Sequence, residues 1–222
     1  MTGSRANRPG ELLYWFTAST VILGVTAFCG VAAKVGWDRF GDSTTYFYER
    51  FDVGHPGVVN VVTAMGFVAA GVIGVVLAMA ALQPAAIRAT WIATAILLLV
   101  LALDDLLRLH NMITAGDVLA RGIYWVVLVV LARRLRPLLH HKRGAIMVVF
   151  GIAMLVASEI IDILTPGDSQ TFSLHPLFSV AEESFACLGA WSLAIAGIGF
   201  TSELIVVPPE QDCQEPQASV SF

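Results

Sequence analysis

Charge is what this chain has least of. Its 222 residues hold 13 Lys and Arg and 17 Asp and Glu, 14% in all, against roughly 25% in an ordinary soluble domain. That deficit excludes a soluble enzyme, a disordered protein and a nucleic-acid binder. Cysteine is scarce as well. Cys29 and Cys187 fall inside apolar stretches and Cys213 lies near the C-terminus, with no paired spacing that suggests a disulfide or a zinc knuckle. No His-Glu-x-x-His motif, no His-x-x-x-His pair and no internal repeat is present.

Apolar residues fill the space that charge leaves. They make up 57% of the chain, and the mean hydropathy is +0.76. They come in blocks of 15 to 26 residues without strict alternation, which favours spanning helices over tilted strands of about 10 residues. The chain is therefore expected to be an all-α integral membrane bundle of about six spans: 12–33, 57–82, 87–107, 118–132, 145–165 and 177–200. The fourth is the shortest. Arg121 and Arg133 stand near its ends, so their side chains would have to snorkel to the interfaces.

Arg5 and Arg8 precede the first block as they would in a signal peptide. Its 22 apolar residues exceed the usual apolar core of about 7–15, so it is expected to stay as a signal anchor. With the N-terminus inside, the inner segments hold Arg5, Arg8, Arg88, Arg133, Arg134, Arg136, Lys142 and Arg143; the outer ones hold Lys34, Arg39, Arg50, Arg108 and Arg121. The excess on the inner side places both termini in the cytoplasm of a cell-membrane protein. Residues 34–56 then form an outer loop, whose Trp37, Phe40, Tyr46, Phe47, Tyr48 and Phe51 suit the membrane interface. Residues 201–222 contain three prolines and no Lys or Arg, and are expected to be a disordered tail.

The chemistry lies in the ionisable residues inside or at the ends of the blocks. Span three ends in LALDDLLRLHN, span five carries ASEIIDILTP, and span six opens LFSVAEESFACLGAW. An acid in a spanning helix costs about 2.5–3.5 kcal/mol on insertion scales, so six of them need a common explanation. From a rise of about 1.5 Å per residue, Asp104, Asp105, Glu159, Glu182 and Glu183 each lie about 8–9 Å below the outer end of their span. Asp104, Arg108 and Asn111 share one helical stripe. Ser158 and Glu159 share another with Asp162. Polar stripes in lipid turn inward, so these predict an outward-facing acidic site formed by spans three, five and six. Its ligand types suit a divalent metal ion or another cation: Asp104, Asp105, Glu159, Asp162, Glu182, Glu183 and His110, with His55 and His175 nearby. Arg108 would bind an anionic lipid head group.

Each residue also has a plainer reading. Asp104 and Arg108 make an intrahelical ion pair; Glu159 and Asp162 make a half-wet pair at the interface; Glu182 and Glu183 complement a helix N-terminus. His55 and His175 precede prolines and would merely open helices. Gly66, Ala70, Gly71, Gly74, Gly189, Gly197 and Gly199 read as close-packing positions, and Asn60 as an interhelical hydrogen-bonding residue.

Asp104-Asp105-x-x-x-x-His110 and Glu182-Glu183-Ser184, running on to Gly189 and Trp191, resemble an uncharacterised group of bacterial multi-pass membrane proteins over spans three to six. That group often has an acid after the histidine, where this chain has Asn111. The mixture of intramembrane Asp, Ser and His is also similar, by analogy, to the seven-span hydrolases that include alkaline ceramidases and progestin/adiponectin-type receptors. The second likeness implies a zinc-dependent hydrolase acting on a lipid. The residues alone leave open an ion- or proton-coupled carrier and a non-catalytic assembly partner.

Overall fold

The computed structural model describes residues 8–40, 58–80, 85–107, 142–164 and 175–204, with scattered positions between 122 and 136. These are helical throughout apart from Ala80 and a single 3₁₀ position, Arg136. Five long helices result: α1 (Arg8–Phe40), α2 (Val58–Met79), α3 (Ala85–Leu107), α4 (Lys142–Leu164) and α5 (His175–Leu204). All five are long and apolar enough to cross a membrane. Among the described residues the protein is all-helical, with the long apolar helices of a multi-pass membrane protein.

Lipid offers no hydrogen bonds, so every backbone and hydroxyl group in a span must find its partner within the protein. The helical ladder takes care of the backbone. The hydroxyls of Thr17, Thr20, Thr26, Thr63, Thr90, Thr94, Ser192 and Thr201 each donate to the carbonyl four residues earlier, at 2.6–3.0 Å. Pro9 and Pro176 occupy first turns, where no amide donor is required.

The helices end in different places from the apolar blocks. α1 continues through Phe40, so the first part of the expected outer loop, Lys34 to Phe40, is helical. α5 likewise continues to Leu204, into the expected tail. Hydropathy marks the stretch that lipid can cover, whereas a helix ends where its backbone bonding ends. Of the fourth block, Gly122, Trp125, Val126, Val129, Val130 and Ala132 are described, and they are helical. The rest of that block lies outside the described residues, as do Tyr46, Phe47, Tyr48, Phe51 and the tail beyond Leu204.

α2 and α5 are the centre of the bundle. α5 packs on α1, α2 and α4; α2 packs on α3 and α5; α3 and α4 make no extended contact with each other. Small residues allow the close approaches. A Cβ on Gly189 would lie 3.0 Å from the Gly151 carbonyl oxygen, and one on Gly151 would lie 3.1 Å from that of Gly189. Gly66 meets Ala190 and Trp191, Gly71 meets Ala95 and Leu99, and Gly197 meets Ile73. The packing role expected of Gly66, Gly71, Gly189 and Gly197 is what the structure contains, and Gly151 joins them.

The same contacts give each helix a direction. α5 runs antiparallel to α1 and α4, with Tyr14 beside Ile195 and Gly199, and Gly144 beside Phe200. It runs parallel to α2, which is antiparallel to α3. One end of the bundle therefore carries Arg8, Arg88, Lys142 and Arg143. The opposite end carries Asp104, Asp105, Glu159, Asp162, Glu182 and Glu183, while Glu11 of α1 lies at the basic end.

At the basic end, Tyr14 donates a hydrogen bond to the Arg143 carbonyl at 3.3 Å, and Arg143 pairs with Glu11 at 3.9 Å. Phe200, 2% exposed, fills the core there against Trp91, with ring centroids 5.6 Å apart in an edge-on arrangement.

Candidate functional site

The constant offsets of the helix contacts show which residues share a level at the acidic end. Between the parallel helices α2 and α5, Gly66 meets Ala190 and Ile73 meets Gly197, an offset that sets Thr63 level with Cys187. One turn further, Asn60 falls level with Ser184. Between the antiparallel α4 and α5, Gly144 meets Phe200, Gly151 meets Leu193 and Leu155 meets Gly189. Glu159 then falls level with Phe185, within a turn of Glu182 and Glu183. Between α2 and α3, Gly74 meets Trp91 and Ala95, Gly71 meets Ala95 and Leu99, and Ala64 and Phe67 cluster with Leu98 and Ala102. The next step sets Asn60 level with Asp105. Four helices thus bring polar groups to one layer of the bundle.

Asp104, Asp105, Glu159, Glu182 and Glu183 are all half-buried, and each takes part in hydrogen bonding or an electrostatic interaction. Ser158 beside Glu159 is buried. Lateral placement is less uniform than depth. Glu159 and the Glu182-Glu183 pair stand on adjoining helices, and Asp104 and Asp105 stand on α3, which packs chiefly on α2. Among the described residues, no three His, Cys, Asp or Glu side chains come close enough together to hold a metal ion. His110, Arg108, Asn111 and His55 lie outside the described residues, as do the side chains of Asp162 and His175.

Asn60 is the unusual member of the layer. It is 6% exposed, and its Oδ1 is buried with no hydrogen-bond partner among the described residues. It shares a helical stripe with Ala64, Phe67 and Gly71, the stripe that faces α3, and Asp105 continues the Leu98–Ala102 stripe of α3 that faces back. A turn deeper, Trp191 donates from Nε1 to the Val62 carbonyl at 3.0 Å, tying α5 to α2 just beneath the acids.

One pair of residues had no signal in the sequence. Cys29 of α1 and Cys187 of α5 are 3% and 0% exposed and belong to the same buried cluster as Val25 and Val59. Spacing along the chain does not reveal a pair brought together by helices at opposite ends of it. Comparison of the chain with protein-family models, with curated proteins and with solved structures finds no match.

Proposed function

We propose that this is a six-span protein of the cell membrane, with both termini in the cytoplasm and a cation-binding site at its outward-facing acidic end. The reading of six spans rests on connectivity. α3 ends at the acidic end with Leu107 and α4 begins at the basic end with Lys142, so the chain between them has to change ends. The apolar block 118–132 is the stretch suited to that crossing. Orientation rests on Arg8, Arg88, Lys142 and Arg143 sharing one end, which the positive-inside rule assigns to the cytoplasm.

A reporter fusion tests the topology. Alkaline phosphatase joined after Leu107 is expected to be active, and joined after Leu204 inactive. Activity at both positions would remove the sixth span from the proposal.

The observation that carries cation binding is the Asn60 amide oxygen, buried level with Asp105, Glu159 and Ser184. Leaving a buried acceptor unmet costs about 1–3 kcal/mol, and setting it in a layer of carboxylates compounds the demand for positive charge. A bound cation answers both. Carboxylates with an amide carbonyl form an oxygen-donor set suited to hard ions such as Mg²⁺, Ca²⁺ or Mn²⁺. Asp104, Asp105, Glu159, Asp162, Glu182 and Glu183 are the acids from which such an ion would draw its carboxylates, no more than two of them from the described side chains, with His110 as the imidazole. Arg108 would serve an anionic head group. Lipid hydrolysis and ion-coupled transport are two uses to which such a site is put, and both start from ion binding.

The test is thermal unfolding of the protein in lipid nanodiscs, titrated with Mg²⁺, Ca²⁺, Mn²⁺ and Zn²⁺ in turn. An ion bound at 100 times its Kd stabilises by about 2.7 kcal/mol, which corresponds to a rise in midpoint of about 5–10 °C for a chain of this size. A midpoint that none of the four ions moves would overturn the proposal.

A further inference from the structure

We infer that the fourth apolar block, 118–132, packs along the flank of α3 that carries Thr90 and Leu97, and walls the acidic layer beside Asp104. The inference rests on the six-span reading and adds to it the neighbour and the register of the crossing.

α3 turns Trp91, Ala95, Leu98 and Ala102 toward α2. At 3.6 residues per turn, Thr90 and Leu97 stand about 100–120° round from Trp91, on a flank that α2 does not face. They are nevertheless only 4% and 7% exposed. Ile92, about 100° round on the opposite flank, is 45% exposed. α2 is the only described helix that packs along α3, and Leu97 belongs to none of the three buried clusters of the five helices. Part of the chain outside those helices covers one flank of α3, since lipid would leave both flanks alike.

Connectivity names the cover. Residues 108–141 join the acidic end of α3 to the basic end of α4, and helices joined by short connections pack as antiparallel neighbours. The described residues of the block are themselves packed on one side. Trp125 and Ala132 are half-buried, whereas Val126, Val129 and Val130 are exposed. Trp125 and Ala132 are spaced as Thr90 and Leu97 are, by about two helical turns. With the block antiparallel to α3, Ala132 meets Thr90 and Trp125 meets Leu97. The same register brings Arg133 to the level of Arg88 at the basic end and Val118 to the level of Asp104. Asp104 continues the flank of Leu97 and is half-buried, so the outer end of the block stands beside it.

Disulfide cross-linking in nanodiscs tests this register, with Cys213→Ser throughout. Copper–phenanthroline is expected to join Thr90→Cys to Ala132→Cys and Leu97→Cys to Trp125→Cys, read as disulfide-linked peptides by mass spectrometry. Ile92→Cys with Ala132→Cys and Ile96→Cys with Trp125→Cys sit at the same levels on the exposed flank. They should react at least about ten-fold less. Thr90→Cys and Ala132→Cys change side-chain volume little, so that pair is expected to keep the unfolding midpoint of the unaltered protein.

Equal reaction on both flanks, or no cross-link between positions 90 and 132, would overturn the inference. Disulfide-linked dimers of the Leu97→Cys variant alone would assign the flank to a second copy instead. The phosphatase fusions keep the two failures apart. Activity after Leu107 but not after Leu204, without the cross-link, leaves six spans and removes this packing; activity at both positions removes the crossing itself.

Discussion

Gly189→Leu is expected to lower the unfolding midpoint in nanodiscs by about 5–10 °C and to loosen α4 from α5. A Cβ at Gly189 would meet Leu155 Cγ at 2.7 Å and the Gly151 carbonyl oxygen at 3.0 Å. Leu155 has rotamers with which to retreat. The Gly151 carbonyl does not, because it belongs to the backbone of α4. Gly151 faces the same limit from the other side, 3.1 Å from the Gly189 carbonyl, so the helices can make room only by separating. Inserting bulk into a packed interface costs about 1–3 kcal/mol, and a backbone obstacle puts this substitution at the top of that range. With about 2–4 °C of midpoint per kcal/mol at this chain length, the expected fall follows.

Gly24→Leu is the control. An added side chain there meets nothing within 4 Å, and the site is exposed on α1, so a change within about 0.5 kcal/mol is expected. If Gly189→Leu unfolds no earlier than Gly24→Leu, the α4–α5 contact is wrong, and with it the level assigned to Glu159.

Depth along a span is easier to read from a sequence than the face a helix turns to its neighbours. A helix rises by a constant amount per residue, so the distance of Asp105, Glu159 or Glu183 from the end of its span follows from counting. The face a helix turns to its neighbours normally follows from amphipathicity, and these helices have almost none. Val58, Val61, Met65, Val68, Val72 and Val76 of α2 are exposed apolar residues, while Val59, Phe67 and Leu77 of the same helix are buried. Lipid and protein interior ask for the same side chains.

Glycine partly repaired this. The Gly66, Gly71 and Gly74 positions marked the packed faces of α2 from the sequence, because close approach needs small residues whatever the solvent. Nothing comparable marked α2 as the helix that packs on both α3 and α5, and nothing marked Cys29 and Cys187 as members of one buried cluster. Both facts depend on how helices distant in the chain are arranged around one another.

Asp105→Asn combined with Glu183→Gln is expected to abolish the response to cations while leaving the bundle inserted and folded. Both substitutions keep the shape of the side chain and remove its charge. Insertion should not suffer, since each acid costs about 2.5–3.5 kcal/mol to place in a spanning helix. Binding should suffer heavily. A charge-assisted contact is worth about 1.5–3 kcal/mol, or about ten-fold or more in affinity for each carboxylate, so the pair together should lose at least about 100-fold. The ion-dependent rise in unfolding midpoint measured for the unaltered protein would then vanish at the same ion concentration.

Asn60→Leu separates a cation site from ion pairs that merely ease insertion, because it leaves every carboxylate in place and removes one neutral acceptor. Filling that buried position with an apolar group should leave the midpoint without added ion unchanged or higher. A hard cation would lose one of its oxygen donors, and its affinity should fall about ten-fold. A structural network of acids would be indifferent to the change. An unaltered ion response in both variants would assign the acidic layer to helix packing alone; a response weakened by Asn60→Leu and lost in the double variant would assign it to the ion.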